Sequence, residues 1–537
     1  MSKKFKMIIV GLIVGTLVFS GCGNKNSSAD VRMTNEIAQP KDVMYDVTSK
    51  ESKGMSEEVA SENEVMQKIE TKDFNTEEYA AITENVFLNA ISSPVSTFSI
   101  DVDTASYSNV RRFINSGSLP DPGAVRIEEL VNYFNYNYEQ PSGDKPFMTN
   151  MQMGTCPWNE EHYIAMVGLK GKEIEKERLP KSNLVFLLDV SGSMDEPDKL
   201  PLLKKAFKLL VNQLTENDRV SIVVYAGASG AVLEGVRGDQ KGKILDALDE
   251  LNAGGSTAGA EGIELAYNLA EENYIEGGNN RIILATDGDF NVGPSSESEL
   301  QDLIEEKREK GVFLSVIGFG TGNIKDNKME TLADKGNGNY SYIDSEKEAE
   351  KVFVKEMSGT LVTIAKDVKI QVEFNPKFVK EYRLIGYENR KLNNEDFEDD
   401  TKDAGEIGAG HTVTALYEIV PADGEESQSD LRYSRTETKN NNDEVMFTKI
   451  RYKEPNADKS QLLEFAMKRG SEGNNNKDFQ FATAVAEFGL LLVDSEYKGN
   501  ASYDSVINRA KKALGKDEEG YRKEFVRLVK EAKSLED

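Results

Sequence analysis

The chain has 537 residues, of which 38% are hydrophobic and 29% are charged. This balance is typical of a globular protein, and the length suffices for about three domains of roughly 150 residues each. The 65 basic residues face 93 acidic ones, and the net charge of −28 argues against nucleic acid as a partner, because phosphate backbones attract basic patches. With only two histidines and two cysteines, almost every zinc enzyme and any disulfide scaffold are excluded as well.

The N-terminal segment predicts export and a lipid anchor. Three lysines among the first six residues precede an apolar run over Met7–Phe19, which is too short to span a bilayer and fits an export signal. The run leads into the sequence FSGC, which resembles the cleavage box of bacterial lipoproteins and ends at Cys22. We therefore predict a signal peptide over residues 1–21 and a lipidated Cys22 that holds the protein on a cell membrane, facing outside the cytoplasm. An ordinary signal peptide followed by a chance cysteine is the alternative.

Residues 22–84 predict a disordered tether, because Asn, Ser, Glu and Lys dominate and no hydrophobic period is sustained. A weak helix around Ser56–Ile69 is the alternative. Residues 85–179 predict a mixed α/β region, with a strand over Val95–Val102 and a helix over Ala124–Phe134.

Residues 180–365 alternate between strands and helices. The predicted strands are apolar and β-branched, as in strands buried on both faces: Leu184–Asp189, Arg219–Tyr225, Arg281–Thr286 and Val312–Gly318. Helical spacing is found at Leu200–Leu214, Lys243–Leu251, Ala260–Tyr274, Glu297–Lys310 and Glu346–Leu361. A short run at Ala231–Val236 is a candidate antiparallel edge strand. This alternation predicts an α/β fold with a central, doubly wound and mostly parallel sheet of the Rossmann-like type.

Beyond this central domain the hydrophobic period changes. Residues 366–456 carry strand-like runs with a period of two and predict an antiparallel β unit, while residues 457–537 predict a C-terminal helical region. Two strand-like runs upstream, near Met148–Gly154 and Tyr163–Leu169, are too few for a sheet of their own. We predict that they pair with the β unit, so that the central domain is an insertion in it.

Side chains that carry oxygen follow the strands of the predicted central sheet. The first strand ends in Asp189, with Ser191 and Ser193 at the next alternate positions; Thr257 opens a helix, and Asp287 follows a later strand. Because ligands of open α/β sheets bind at the carboxyl ends of the strands, we expect these five side chains to share one crevice. Hard oxygen ligands select Mg²⁺, Mn²⁺ or Ca²⁺. The sequence therefore predicts a divalent metal site.

The order of these five residues resembles the metal-ion-dependent adhesion site of von Willebrand factor type A (vWA) domains. The wider layout resembles bacterial vWA lipoproteins, through Val-Asp-Thr-Ala-Ser-Tyr at residues 102–107 and Asp-Phe-Gln-Phe-Ala at residues 478–482. The resemblance implies that the three hydroxyls bind the ion and that the two carboxylates act directly or through water. Many such proteins are labelled homologues of calcium-activated chloride channels, but a pore needs membrane-spanning segments, which the sequence does not offer.

The predicted site favours binding over catalysis. Two carboxylates against a divalent cation leave the ion able to take one more anionic oxygen, which a partner's Asp or Glu can provide. No short motif of metalloproteases, serine hydrolases or nucleotide-binding loops is found, and neither His162 nor His411 has an evident nucleophile beside it. Cys156 predicts a small buried apolar residue, with a reactive thiol as the alternative.

We therefore predict a protein without enzymatic activity that binds a protein or another acidic ligand at the cell envelope. A structural envelope protein with an unused metal site and an envelope hydrolase are the alternatives. Two further acidic runs are weaker metal candidates. Asp287-x-Asp289-x-Asn291 lacks the later glycine and glutamate of a calcium loop, and Asp101-x-Asp103 is better explained as an acidic turn before a helix.

Overall fold

The computed structural model describes residues 75–143, 145–255, 259–288, 290, 297–422, 443–470 and 476–536. Its strands are β1 (Leu88–Asn89), β2 (Val95–Ser99), β3 (Phe147–Thr155), β4 (Tyr163–Gly171), β5 (Ser182–Asp189), β6 (Arg219–Tyr225), β7 (Ser229–Arg237), β8 (Asn279–Thr286), β9 (Val312–Phe319), β10 (Tyr340–Ile343), β11 (Thr363–Phe374), β12 (Val379–Ile385), β13 (Ile407–Gly408), β14 (Thr412–Pro421), β15 (Glu444–Lys453) and β16 (Gln461–Lys468). Its α-helices are α1 (Ala105–Asn115), α2 (Ile127–Asn132), α3 (Leu200–Gln213), α4 (Lys241–Asp249), α5 (Gly259–Glu272), α6 (Glu297–Glu309), α7 (Asp326–Lys335), α8 (Glu346–Glu350), α9 (Met357–Leu361), α10 (Lys477–Leu492), α11 (Tyr503–Lys512) and α12 (Tyr521–Glu536).

The central sheet confirms the predicted α/β fold. Its strands lie in the order β10-β9-β8-β5-β6-β7, and all neighbours are parallel except β7, which pairs antiparallel with β6 as the predicted edge strand. Strand β5 is buried along its whole length. Its alternate side chains enter two different cores, with Phe186 on one face and Leu187 on the other. Because helices cover both faces, the strand ends at the carboxyl edge are the part of this sheet that is left for a ligand.

The hypothesis that the central domain is an insertion is confirmed. Strand β4, which precedes the domain, pairs antiparallel with β14, which follows it, and Val167 lies opposite Ala415. These strands share a sheet of order β1-β12-β14-β4-β3. A second antiparallel sheet has the order β13-β11-β15-β16, with β2 paired to β11. The two sheets enclose one apolar core, so the chain on either side of the central domain forms one β unit.

The C-terminal helices pack against α1 and α2 around an aromatic core. Phe134 meets Phe481 and Phe525 edge-on, with ring centroids 4.9 and 5.7 Å apart. The predicted helical region therefore exists, but its boundary at residue 457 was placed too early, because β16 extends the second sheet through β15. Within the described ranges, no helix is both long and apolar enough to cross a membrane.

The end of the predicted tether is ordered. Glu78 forms an isolated parallel bridge with Lys325, and the Thr76 N–H donates to the Gly322 carbonyl oxygen at 2.8 Å. Residues 75–84 thus differ from the predicted disorder, because a loop of the central domain supplies hydrogen-bond partners that the local sequence does not indicate. The predicted signal peptide, the lipidated cysteine and the rest of the tether lie outside the described residues.

The predicted helix at the end of the central domain is divided into pieces. Helix α8 ends at Glu350, a π-helical turn follows over Lys351–Lys355, and α9 begins at Met357. The Lys351 side chain is buried. Its ammonium lies 4.2 Å from the centre of the Tyr133 ring and binds Glu356 at 2.8 Å. These tertiary contacts accompany the change of helical geometry, which hydrophobic spacing alone does not predict.

Candidate metal centre

The loop that follows β5 brings three of the predicted residues together. Asp189 is the last residue of β5 and has no exposed surface, and Ser191 is only 2% exposed. The Ser191 N–H donates to Asp189 Oδ1 at 2.9 Å, and the Oγ atoms of Ser191 and Ser193 lie 3.0 Å apart. The loop turns tightly because Asp189 accepts from the backbone two residues ahead, which places one carboxylate and two hydroxyls side by side.

Asp287 reaches the same edge of the sheet from the neighbouring strand. It directly follows β8, which lies parallel and adjacent to β5, and it has no exposed surface. The preceding residue, Thr286, donates through Oγ1 to Asp189 Oδ2 at 3.1 Å, and the Tyr225 hydroxyl from β6 donates to the same oxygen at 3.3 Å. Three adjacent strands therefore fix the Asp189 carboxylate.

Thr257 lies outside the described residues, but the segment before it is joined to the loop after β5. The Gly254 N–H donates to the Val190 carbonyl oxygen at 2.8 Å, and the Gly192 N–H donates to that of Gly255 at 3.0 Å. Gly255 has a φ of +86°, which favours glycine. The chain that leads into Thr257 therefore starts from the same edge, and the position of the threonine itself stays a prediction.

The donor set fits a hard divalent cation. The described site residues offer two carboxylates and two hydroxyls, which are the ligands that Mg²⁺, Mn²⁺ and Ca²⁺ take in proteins. Burial raises the pKa of Asp189 to about 6, and the charge of Asp287 adds to this rise, while hydrogen bonds from Ser191 oppose it. A cation beside the two carboxylates would relieve their repulsion. The oxygen chemistry and the charge of this edge are therefore compatible with a divalent cation.

Family comparisons identify the protein class. Three family models match consecutive parts of the chain: von Willebrand factor over residues 73–166, von Willebrand factor type A domain over residues 183–355, and "Uncharacterized protein YfbK, C-terminal" over residues 359–535. The "Uncharacterized protein YfbK" of Escherichia coli (strain K12) is 44% identical over 473 residues, which cover 86% of this chain and 82% of that protein. The chain belongs to the YfbK family of vWA domain proteins.

Other similar proteins match smaller parts or share less sequence. The "Uncharacterized protein sll0103" of Synechocystis is 29% identical over 204 residues, which cover 38% of this chain and 47% of that protein. A solved von Willebrand factor type A structure from Catenulispora acidiphila is 15% identical, with a TM-score of 0.40, and the match covers 72% of this chain and 89% of that one.

Sequence reasoning missed two residues that contact Asp287 in this group of side chains. The Lys199 ammonium binds Asp287 Oδ2 at 2.9 Å, and Asn323 Nδ2 donates to the same oxygen at 3.2 Å. Asn323 follows β9, the next strand of the central sheet, so the rule that selected the other strand ends would have found it. Lys199 precedes α3, and its only sequence signal is its position shortly after the Ser193 loop.

A second group of carboxylates is a structural network. Asp101, Glu129 and Glu330 are buried, and one oxygen of each lies within 4.8 Å of the others. Arg126 binds Glu129, and Arg390 binds both Asp101 at 3.3 Å and Glu330 at 3.1 Å. Because two guanidinium groups already pair with these carboxylates, the group is better explained as an ion-pair network that joins the vWA domain to its flanks.

His162 and Cys156 both lie beside the carboxylate of Glu418. His162 Nδ1 lies 2.7 Å from Glu418 Oε1, and the Cys156 sulfur lies 4.0 Å from the same oxygen. Cys156 is 1% exposed, which confirms the predicted buried position. Burial raises the pKa of its thiol to about 12, so the reactive thiolate form is strongly disfavoured.

Proposed function

We propose that this chain is a lipid-anchored envelope protein whose vWA domain binds a divalent cation and, through it, a partner protein or another ligand. The observation that carries the proposal is the grouping of Asp189, Ser191 and Ser193 beside Asp287 at one edge of the central sheet. The serine hydroxyls, with Thr257, would bind the ion directly, and the two carboxylates would act directly or through water. Mg²⁺ is the expected ion, with Mn²⁺ or Ca²⁺ as substitutes.

The chemistry of such a site favours an acidic ligand. Hydroxyl ligands are neutral, so the cation keeps affinity for one more anionic oxygen from a partner's Asp or Glu. An ion between the two surfaces lets a chain with a net charge of −28 hold an acidic partner. The proposal includes no catalytic residue, since binding through the ion requires no bond to be made or broken, and it assigns no role to nucleic acid.

The metal site is tested by thermal unfolding of the full-length protein in detergent, in EDTA and with added Mg²⁺. An ion present at a hundred times its dissociation constant adds about 2.7 kcal/mol to the stability of the folded state. We expect Ser191→Ala/Ser193→Ala to abolish this shift. The matched control is Ser116→Ala/Ser118→Ala, an exposed pair with the same spacing and hydroxyls 3.4 Å apart.

The outcomes separate the candidate functions. Loss of the shift in the site variant alone supports the proposal, and an equal shift in both variants contradicts it. If the unfolding temperature of the wild type does not change when Mg²⁺ is added, the alternative of a structural envelope protein with an unused site is favoured. Turnover of an envelope substrate that the site variant loses favours a hydrolase.

The lipid anchor is tested separately through Cys22. We expect Cys22→Ser to remove the acyl mass from the purified chain and to move the protein out of the membrane fraction, because two or more acyl chains are needed for stable anchoring. Cys156→Ala is the control, since it removes the only other cysteine. A Cys22→Ser protein that stays in the membrane fraction would count against the anchor.

A further inference from the structure

A buried lysine lies in the vWA metal site and has no assigned role. Lys199 is 5% exposed, and its ammonium lies 2.9 Å from Asp287 Oδ2. Asn323 donates to the same oxygen at 3.2 Å. One of the two carboxylates expected to serve the ion is therefore already paired with a cation that belongs to the protein.

The fold makes room for this lysine. Gly320, directly after β9, has a φ of +71°. A Cβ at this position would lie 2.5 Å from Lys199 Cε and still closer to Cγ. The Tyr342 hydroxyl donates to the Gly320 carbonyl oxygen at 2.7 Å and holds the glycine against the lysine stem. The lysine stem thus packs directly against a glycine, and a side chain at position 320 would force it to move.

The charges of the site give this placement a consequence. Asp189 and Asp287 together carry two negative charges, and Lys199 reduces the total to minus one. A divalent ion then brings the site to plus one. Charges interact strongly where water is excluded. The lysine charge therefore weakens the binding of a divalent ion to the site, and it helps the site to attract an anion once the ion is bound.

We propose that Lys199 is a built-in counter-cation of the vWA metal site. It neutralises Asp287 before an ion binds, lowers the affinity of the site for the ion, and leaves the loaded site with a positive charge that selects a carboxylate ligand. The inference rests on the proposed metal function and adds the residue that sets ion affinity and ligand charge. Ion and acidic ligand therefore bind cooperatively, each favouring the other.

Titration calorimetry of the full-length protein with Mn²⁺ tests this role. Lys199→Met removes the charge and the hydrogen bond, whereas Lys199→Gln removes the charge and keeps a donor for Asp287. Lys205→Met is the control, because Lys205 lies on α3 and is exposed, with Glu346 as its partner. We expect both Lys199 variants to bind Mn²⁺ roughly tenfold more tightly than the wild type and the control. Acetate, as a simple carboxylate, should tighten Mn²⁺ binding more in the wild type than in either variant.

Each result decides between the possibilities. Tighter binding of Mn²⁺ to the Lys199 variants than to the wild type supports the inference. Binding of Mn²⁺ to the variants alone, with none to the wild type, supports it too. Equal or weaker binding in the variants overturns the role of Lys199 and leaves the metal site intact, and an equal effect of acetate overturns the role in ligand choice. No binding in any protein overturns both the inference and the proposed metal function. If the methionine variant does not fold, the glutamine variant gives the answer.

Discussion

Glu418 on β14 contacts residues from the chain segments on both sides of the inserted vWA domain. Its carboxylate, 2% exposed, accepts from Arg383 Nη2 of β12 at 2.9 Å and from Trp158 Nε1 at 3.2 Å. His162, from the segment before the domain, lies 2.7 Å away. The β unit that surrounds the insertion should therefore depend on this one charge.

We predict that Glu418→Gln lowers the free energy of unfolding of the β unit by about 3 kcal/mol. Arg383 is 1% exposed, and the ion pair that the described residues leave to it in the variant is the longer one with Glu84, at 3.9 Å. Breaking a buried ion pair from one side costs about 3–5 kcal/mol, and the lower value applies because the glutamine amide still accepts hydrogen bonds. Replacing both partners, in Arg383→Met/Glu418→Gln, should cost less than the sum of the single changes.

The assay is urea unfolding followed by the fluorescence of Trp158. It is the only tryptophan of the chain and belongs to this network, so its signal reports the β unit rather than the vWA domain. Glu373→Gln, at an exposed position of β11, is the matched control. A cost below about 1 kcal/mol for Glu418→Gln, or a double variant that costs the full sum, would refute the reasoning.

Three further predictions concern reactivity, pH and backbone strain. Because burial raises the pKa of the Cys156 thiol to about 12, iodoacetamide at neutral pH should label a Cys22→Ser chain only after unfolding; labelling of the folded chain would contradict this. Burial raises the pKa of Glu129 from 4.5 to about 8 although the charge of Arg126 opposes the rise, so the stability present below the lower value should be lost as pH rises through the higher one, by about 5 kcal/mol. Glu129→Gln should flatten this pH profile in thermal unfolding, and an unchanged profile would count against it. Gly320→Ala should lower the free energy of unfolding in urea by about 1–2 kcal/mol more than Gly322→Ala. Both glycines have a positive φ, but only a Cβ at position 320 would meet neighbouring atoms, those of Lys199. Equal losses in the two variants would argue against close packing of Lys199 on Gly320.

The sequence predicted the fold where local pattern and burial agree. The inner strands β5 and β8 of the central sheet are buried along their whole length, and their sequences contain apolar runs that include β-branched residues. Helix α7 was not predicted, because Met329, Leu332 and Ala333 are its only buried apolar residues. Strand β16 was missed for the related reason that most of it is exposed. Where an element depends on distant partners, as the π-helical turn beside Tyr133 does, spacing along the chain carries no signal.

The site was predicted to the extent that strand ends define it. Asp189 and Asp287 follow adjacent parallel strands, so the rule for open α/β sheets is enough to select them. Tyr225 and Lys199 approach the same carboxylates from β6 and from the turn before α3. Neither residue type suggests a metal site by itself, and only the folded geometry reveals their contact with the acidic pair.

The central claim is that Ser191 and Ser193 hold a divalent ion, and anomalous diffraction from crystals grown with Mn²⁺ tests it most directly. The account predicts one strong anomalous peak within about 2.2 Å of both serine Oγ atoms, which disappears in Ser191→Ala/Ser193→Ala crystals and remains in Ser116→Ala/Ser118→Ala crystals. The absence of a peak at this loop, or a peak found only elsewhere in the molecule, would contradict the account.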